Sequence, residues 1–234
     1  MQPIPVMEST ISESRVHASF ILKVYNWMTM GLAITALVAI AIQVAIPEAR
    51  TLLIQNKFVF WAILIIEFAL VLGLSAAINR IPSAFAVLLF LFYAALNGVT
   101  FSFLFLAYKI GTIAYTFFIT AAMFGGTSII GYVTRIDLSK IGGILIMALF
   151  GIIIASIANL FIGSTNIEWI ISYAGVIIFV GLTAWDTQKL KNMSMSIDSS
   201  SEEGNKASIM GALALYLDFI NLFLFLLRIM GRRN

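Results

Sequence analysis

Apolar residues come in seven long runs along the chain, each broken off by a short polar or proline-bearing stretch. The runs are about Val24–Ile46, stopped by Pro47; Phe58–Ile78, closed by Asn79, Arg80 and Pro82; Ser83–Tyr108, ended by Lys109 and Gly111; Thr112–Val133; Ile141–Ile162; Ile167–Leu190; and Ala207–Leu227. Each is long enough to cross a hydrocarbon core, which takes roughly 20 residues of helix. Barrel strands alternate in character over ~10 residues, so unbroken runs of this length predict helices. The expected class is all-α: a polytopic membrane protein built as a seven-transmembrane-helix bundle. Residues 1–23 read as a polar N-terminal segment, 24–230 as the transmembrane domain and 231–234 as a basic C-terminal tail. The longest polar interruption, 191–206, is expected as a loop between helices 6 and 7. No cleaved signal peptide is expected, because the first run is too long for the apolar region of one.

Composition agrees with that pattern. The chain is 61% hydrophobic and 11% charged, with a mean hydropathy of +1.03. Soluble chains run nearer ~25% charged. The formal net charge is +3. The basic residues flank apolar runs, where they meet the headgroups of the lipid bilayer, and no nucleic-acid partner is expected. With an inside N-terminus and seven spans, Arg15, Lys23, Arg80, Arg135, Lys140, Lys189, Lys191 and Lys206 lie inside. Arg50, Lys57, Lys109, Arg228, Arg232 and Arg233 lie outside. This is a weak positive-inside bias, and a re-entrant last segment would strengthen it. There is no cysteine, and His17 is the sole histidine. Thiolate chemistry, Cys- or His-ligated metal sites and His-based triads are therefore excluded. No enzyme activity and no cofactor are expected.

Three acids fall inside the apolar runs beyond their first turns: Glu67, Asp186 and Asp218. A carboxylate near the bilayer centre costs about 2.5–3.5 kcal/mol on insertion scales, so it normally faces the bundle interior and marks a pathway or a switch. Asn221 shares a face with Asp218, and Thr183 with Asp186, each at a spacing of three. Ser75 falls on roughly the same side of helix 2 as Glu67. Helices 6 and 7 are consecutive, so Asp186 and Asp218 are candidates for contact. Two close carboxyls tend to share one proton, which suits a proton sensor. Deprotonated, they offer the hard oxygens that Ca²⁺ prefers.

Other polar positions are candidates for pore lining or for support. Tyr93, Asn97 and Thr100 form one stripe, and Thr116, Thr120 and Thr127 another. Arg80, just past the end of helix 2, could reach inward as a counter-ion, or extend toward headgroups. Small residues recur four apart at Ala121/Gly125, Ala122/Gly126, Gly151/Ala155 and Ala207/Gly211, a spacing that favours close helix packing inside the molecule.

Two segments carry a resemblance. Gly181-Leu182-Thr183-Ala184-Trp185-Asp186-Thr187-Gln188 and Leu215-Tyr216-Leu217-Asp218-Phe219-Ile220-Asn221-Leu222-Phe223 resemble the hallmark segments of the Bax inhibitor-1 (transmembrane BAX inhibitor motif) family, in its bacterial inner-membrane branch. Met123-Phe124-Gly125, the Arg135-Asp137-Leu138-Ser139 loop and Tyr173-Ala174-Gly175-Val176 fit that branch too. The likeness runs from about Tyr25 to Gly231. It implies a bundle with the last helix central and a multi-pass protein of the cell inner (plasma) membrane. It further implies a pH-sensitive Ca²⁺ leak with Asp186 and Asp218 as the sensor pair. Glu67 matches a helix 2 glutamate of the family. The family arginine near the end of helix 2 falls at Ile78, and Arg80 lies about 200° around the helix from that position. Eukaryotic members oppose cell death and some bacterial ones bind a membrane protease.

The expected function is thus a cation leak channel, with calcium as the transported ion, gated by Asp186 and Asp218. Glu67, Asn221, Thr183 and Arg80 are the supporting candidates. The alternative is a non-conducting regulator that binds another membrane protein, such as a protease or a stress factor.

Overall fold

A computed structural model describes residues 5–45 and 56–231, with side chains from Ala18 onward except at Lys57. Seven long helices account for most of these residues, and no strand occurs among them. They are α1 (Pro5–Val44), α2 (Lys57–Ala77), α3 (Ser83–Ser102, continued by one turn at Leu104–Ala107), α4 (Ile110–Val133), α5 (Ser139–Ile162), α6 (Thr165–Ser194) and α7 (Glu202–Met230). Each contains a stretch long and apolar enough to span a membrane. The side chains of Arg15 and His17, with Pro47, Arg50, Arg232 and Arg233, lie outside the described residues, as does the Lys57 side chain.

Three boundaries differ from those expected. Helix α1 begins at Pro5 and not near Val24, although its apolar span starts only at Ala18. Polarity therefore marked where the hydrophobic stretch begins, not where the helix does. The loop before α7 shrinks from 191–206 to the residues between Ser194 and Glu202. Its hydrogen bonds explain why. The Asp198 Oδ1 accepts from the Ser200 N–H at 2.9 Å and from its hydroxyl at 2.7 Å. Glu202 and Glu203 then sit in the first turn of α7, where carboxylates complement the helix dipole. Finally, α7 is one unbroken helix of 29 residues, about 43 Å long at 1.5 Å per residue. It starts at Glu202 and not near Ala207.

The helices begin and end where their sequences provide caps. The Asn56 side chain accepts from the Phe58 and Val59 N–H groups at the start of α2. Gly163, at φ 68°, ends α5 in the left-handed conformation that glycine adopts without strain. The Asn159 amide closes that turn by bonding the Ser164 backbone in both directions, each bond at 3.1 Å.

The chain divides into two compact units, Met1–Phe103 with Leu190–Leu213 and Leu104–Lys189 with Ala214–Asn234. In the first, α1 packs along α3. The buried Thr35 hydroxyl donates to the Ala94 carbonyl at 2.8 Å. A Cβ on Gly98 would stand 2.6 Å from the Val38 Cβ, so the two backbones touch there. The loop before α7 is fastened to α1 by Ser19, whose hydroxyl meets that of Ser199 at 2.7 Å, and by Lys23, which donates to Asn205 and to the Ser199 carbonyl. The Glu202 carboxylate accepts from the Ser83 N–H and hydroxyl, each at 2.6 Å, and so caps α3.

Helix α7 is the most enclosed: 67% of its apolar window is buried, against 6–39% for the others. A helix apolar all round belongs inside a bundle, and α7 buries Leu215, Tyr216 and Leu222 completely. The small-residue spacing proved a poor guide to the seams. Nothing lies within 4 Å of a Cβ built on Gly125, Gly126 or Gly151, so these pairs do not pack within the described chain. Only Gly211 of that set is close-packed, against Leu190 and Val24.

Candidate functional site

The second unit contains both aspartates. Asp186 lies on α6 and Asp218 on α7, and their carboxyl groups come close enough to act on one another. Asp218 is 5% exposed, and its Oδ2 has no hydrogen-bond partner. A buried acceptor left unpaired costs about 1–3 kcal/mol. Two carboxyl groups this close hydrogen-bond to each other only while they share a proton. The positive charge that acts on Asp186 within this unit is Lys189, one turn further along α6. Its ammonium also sits over the Trp185 ring at 5.4 Å.

Local packing explains why Asp186 is held where it is. A Cβ on Gly131 of α4 would come within 2.8 Å of the Ala184 Cα, so the α4 and α6 backbones are in contact there. A Cβ on Gly142 of α5 would reach the Trp185 ring at 2.6 Å. One residue past Thr187, the buried Gln188 amide donates to the Ile136 carbonyl and accepts from the Leu138 N–H, both at 2.8 Å. It ties the α4–α5 loop to α6. On α7, Phe219 next to Asp218 packs edge-on against Phe117 and Phe124 of α4. The pair therefore sits between a clamped segment of α6 and an aromatic face of α4 and α7.

The supporting candidates fall elsewhere. Thr183 is fully buried, but its hydroxyl donates to the Phe179 carbonyl at 2.7 Å. The Asn221 amide donates to the Leu217 carbonyl at 2.8 Å. Each satisfies itself on its own helix, the usual local solution for a short polar side chain in a helix. Glu67 belongs to the first unit and accepts from the Thr100 hydroxyl at 2.6 Å. Ser75, expected beside Glu67, is exposed; eight residues at 100° each leave it about 80° around the helix. Arg80 is exposed in the turn after α2, while Ile78 is buried. Arg80 makes no ion pair among the described residues. In α4 the buried stripe is Thr116, Thr120, Phe124 and Ser128, so Ser128 takes the place expected for Thr127.

Sequence reasoning missed Gln188, Lys189, Gly131 and Gly142. The two glycines stood in the apolar runs without distinguishing neighbours, and the four-residue rule pointed to others. Gln188 and Lys189 were readable as polar residues at the end of a span, but the carbonyl and amide that Gln188 meets are set only by the α4–α5 loop.

Among the described residues no group of three Asp, Glu, His or Cys side chains converges. Ca²⁺ takes 6–8 oxygens, and two carboxylates supply at most four.

The profile of the family described as "Inhibitor of apoptosis-promoting Bax1" matches residues 17–234. The inner membrane protein YbhL of Escherichia coli K12 is 46% identical over 237 residues, covering 100% of both chains. An uncharacterized protein of Borreliella burgdorferi is 44% identical over 222 residues, 95% of each chain. An uncharacterized protein of Deinococcus radiodurans is 41% identical over 235 residues, 100% of this chain and 98% of its own.

Proposed function

The chain belongs to the family of inhibitors of apoptosis-promoting Bax1, and from that premise we propose that it is a pH-sensitive cation leak channel, with calcium as the ion carried. It is a multi-pass protein of the inner membrane, with seven helices of spanning length. The observation that carries the proposal is the proximity of the Asp186 and Asp218 carboxyl groups across α6 and α7. With one proton shared, the two helices are joined by a carboxyl–carboxylate hydrogen bond. Loss of that proton replaces attraction by repulsion between two carboxylates. The repulsion loosens α7 against α6 and leaves the oxygens free to meet a passing cation, which suits a leak and not a store. Lys189, beside Asp186, tunes this exchange.

The test is Ca²⁺ flux into liposomes holding the purified protein, measured across pH. Wild type is expected to leak in a pH-dependent way. Asp186→Asn and Asp218→Asn are each expected to remove the pH dependence. Unchanged flux and unchanged pH dependence in both variants would refute the mechanism. The second reading, a non-conducting regulator, draws on the small residues Ala122, Gly126 and Gly151, which face outward from α4 and α5. No flux at any pH, together with a stoichiometric partner crosslinked in native membranes, would favour it.

A further inference from the structure

Far from the aspartates along the same two helices lies a second polar site. Arg228 is ten residues beyond Asp218, about 15 Å along α7, and Glu168 is 18 residues before Asp186, about 27 Å along α6. Both line a cleft of ≈ 620 Å³ together with Ser156, Ile157, Leu160 and Thr165. A smaller recess of ≈ 160 Å³, also bounded by Glu168 and Arg228, adds Tyr108 and Trp169.

Glu168 and Arg228 line the cleft without forming an ion pair with each other. Among the described residues neither charged group has a hydrogen-bond partner. The Ser172 hydroxyl bonds only the backbone carbonyl of Glu168, and Arg228 stacks over the Phe225 ring at 5.7 Å. The cleft thus presents one cation and one anion, not paired with each other, beside the Thr165 and Ser156 hydroxyls. Its remaining wall is apolar and outward-facing: Ile157 is 53% and Leu160 77% exposed, on a helix of membrane-spanning composition. Trp169 and Tyr173, stacked at 5.8 Å and both exposed, mark the depth at which aromatic rings meet headgroups. An occupant must therefore carry a phosphate-like anion, a cation close to it and an apolar tail.

We propose that this cleft seats the headgroup of a phospholipid with a primary ammonium, of the ethanolamine type, with Arg228 on the phosphate and Glu168 on the ammonium. The guanidinium fork matches phosphate oxygens, and the first turn of α6 at Thr165 adds N–H groups with the favourable end of the helix dipole. A carboxylate hydrogen-bonds a primary ammonium but not a quaternary one, so the site discriminates ethanolamine from choline. The acyl chains follow Ile157 and Leu160 out of the cleft.

The experiment uses the purified full chain in detergent, titrated with phosphatidylethanolamine, phosphatidylcholine or phosphatidylglycerol of identical acyl chains, and with inorganic phosphate. Bound lipid is read by native mass spectrometry. Wild type is expected to retain the ethanolamine lipid over the choline lipid by about threefold, the scale of one exposed charge contact. Glu168→Gln should abolish that preference and leave phosphatidylglycerol retention intact. Arg228→Gln should lower retention of all three, with Arg228→Lys recovering part of it. Equal retention of ethanolamine and choline lipids by wild type would overturn the proposal. So would wild-type retention by the Glu168→Gln/Arg228→Gln double variant. Displacement by inorganic phosphate irrespective of acyl chain would reassign the cleft to a small anion and overturn it too. Should the Arg228 variants fail to fold, Glu168→Gln, on a half-exposed first turn, still decides.

Discussion

The protein buries acids in two regions and treats them differently. In the first unit Glu67 stands alone on α2, a helix with only 6% of its apolar window buried, and a hydroxyl from α3 satisfies it at 2.6 Å. In the second unit Asp186 and Asp218 lie close to each other, on α6 and on the most enclosed of the described helices, and the Asp218 Oδ2 has no partner. Thr100 donates its proton whether or not Glu67 is ionised, so that contact survives either state and holds α2 to α3. On the proposed mechanism the aspartate contact exists in only one of its protonation states. Under the mechanism proposed above, an intramembrane acid paired with a hydroxyl is glue, whereas an acid paired with an acid is a switch.

The largest effect expected from breaking this contrast falls on the seat of the pair. Gly131→Leu drives a side chain into the Ala184 backbone and should cost about 3 kcal/mol, the upper end of overpacking. Denaturant titration in mixed micelles measures it. Gly73→Leu, on the helix that carries Glu67 and with nothing within 4 Å, should change stability by less than about 0.5 kcal/mol. Comparable losses in both would erase the distinction between a clamped and an open region.

Next comes the glue itself. Thr100→Val removes the hydroxyl that donates to the Glu67 carboxyl and should cost about 1–3 kcal/mol, read by the same titration, with the pH dependence of Ca²⁺ flux retained. The switch should show the reverse profile. In the Asp186→Asn/Asp218→Asn variant an amide pair can replace the carboxyl pair, so stability should move by about 1 kcal/mol or less while the pH dependence of flux disappears.

The smallest effect concerns the loop before α7. The Ser200 N–H, followed by its hydroxyl, holds the Asp198 carboxyl below its ordinary value of 3.8. A depressed carboxylate contributes stability above its unfolded pKa and loses it as pH falls through the folded one. That window lies below 3.8. Hydrogen exchange at Ser200 should therefore be indifferent to pH between about 5 and 8 once corrected for intrinsic rates. A titration there would move the pH sensor from the aspartate pair to the loop.

Much of this molecule could be read before folding. The apolar runs located seven spans because the bilayer core demands ~20 residues per crossing regardless of neighbours. Asp186 and Asp218 stood out because a carboxylate in such a run is costly wherever the helix goes. The partners of polar residues were less legible. Thr183 and Asn221 were grouped with the aspartates by spacing, yet each bonds its own helix four residues back. Spacing puts Ser75 on roughly the side of Glu67, yet Glu67 accepts from Thr100 on another helix. Spacing along one helix says which residues share a face and nothing about what stands opposite.

The amino-acid sequence by itself determined the number of spans, their helical character and the identity of the stranded acids, since these follow from local chain length and transfer free energy. Only tertiary structure decided that α7 would be the most enclosed helix, that Gly131 and Gly142 rather than Gly125 and Gly126 would bring helices into contact, and that Asp186 would meet Asp218. Helix faces are equivalent to lipid as far as hydropathy goes. Choosing among them depends on the fit of side chains against backbone a few ångströms away, and that fit is absent until the helices are assembled.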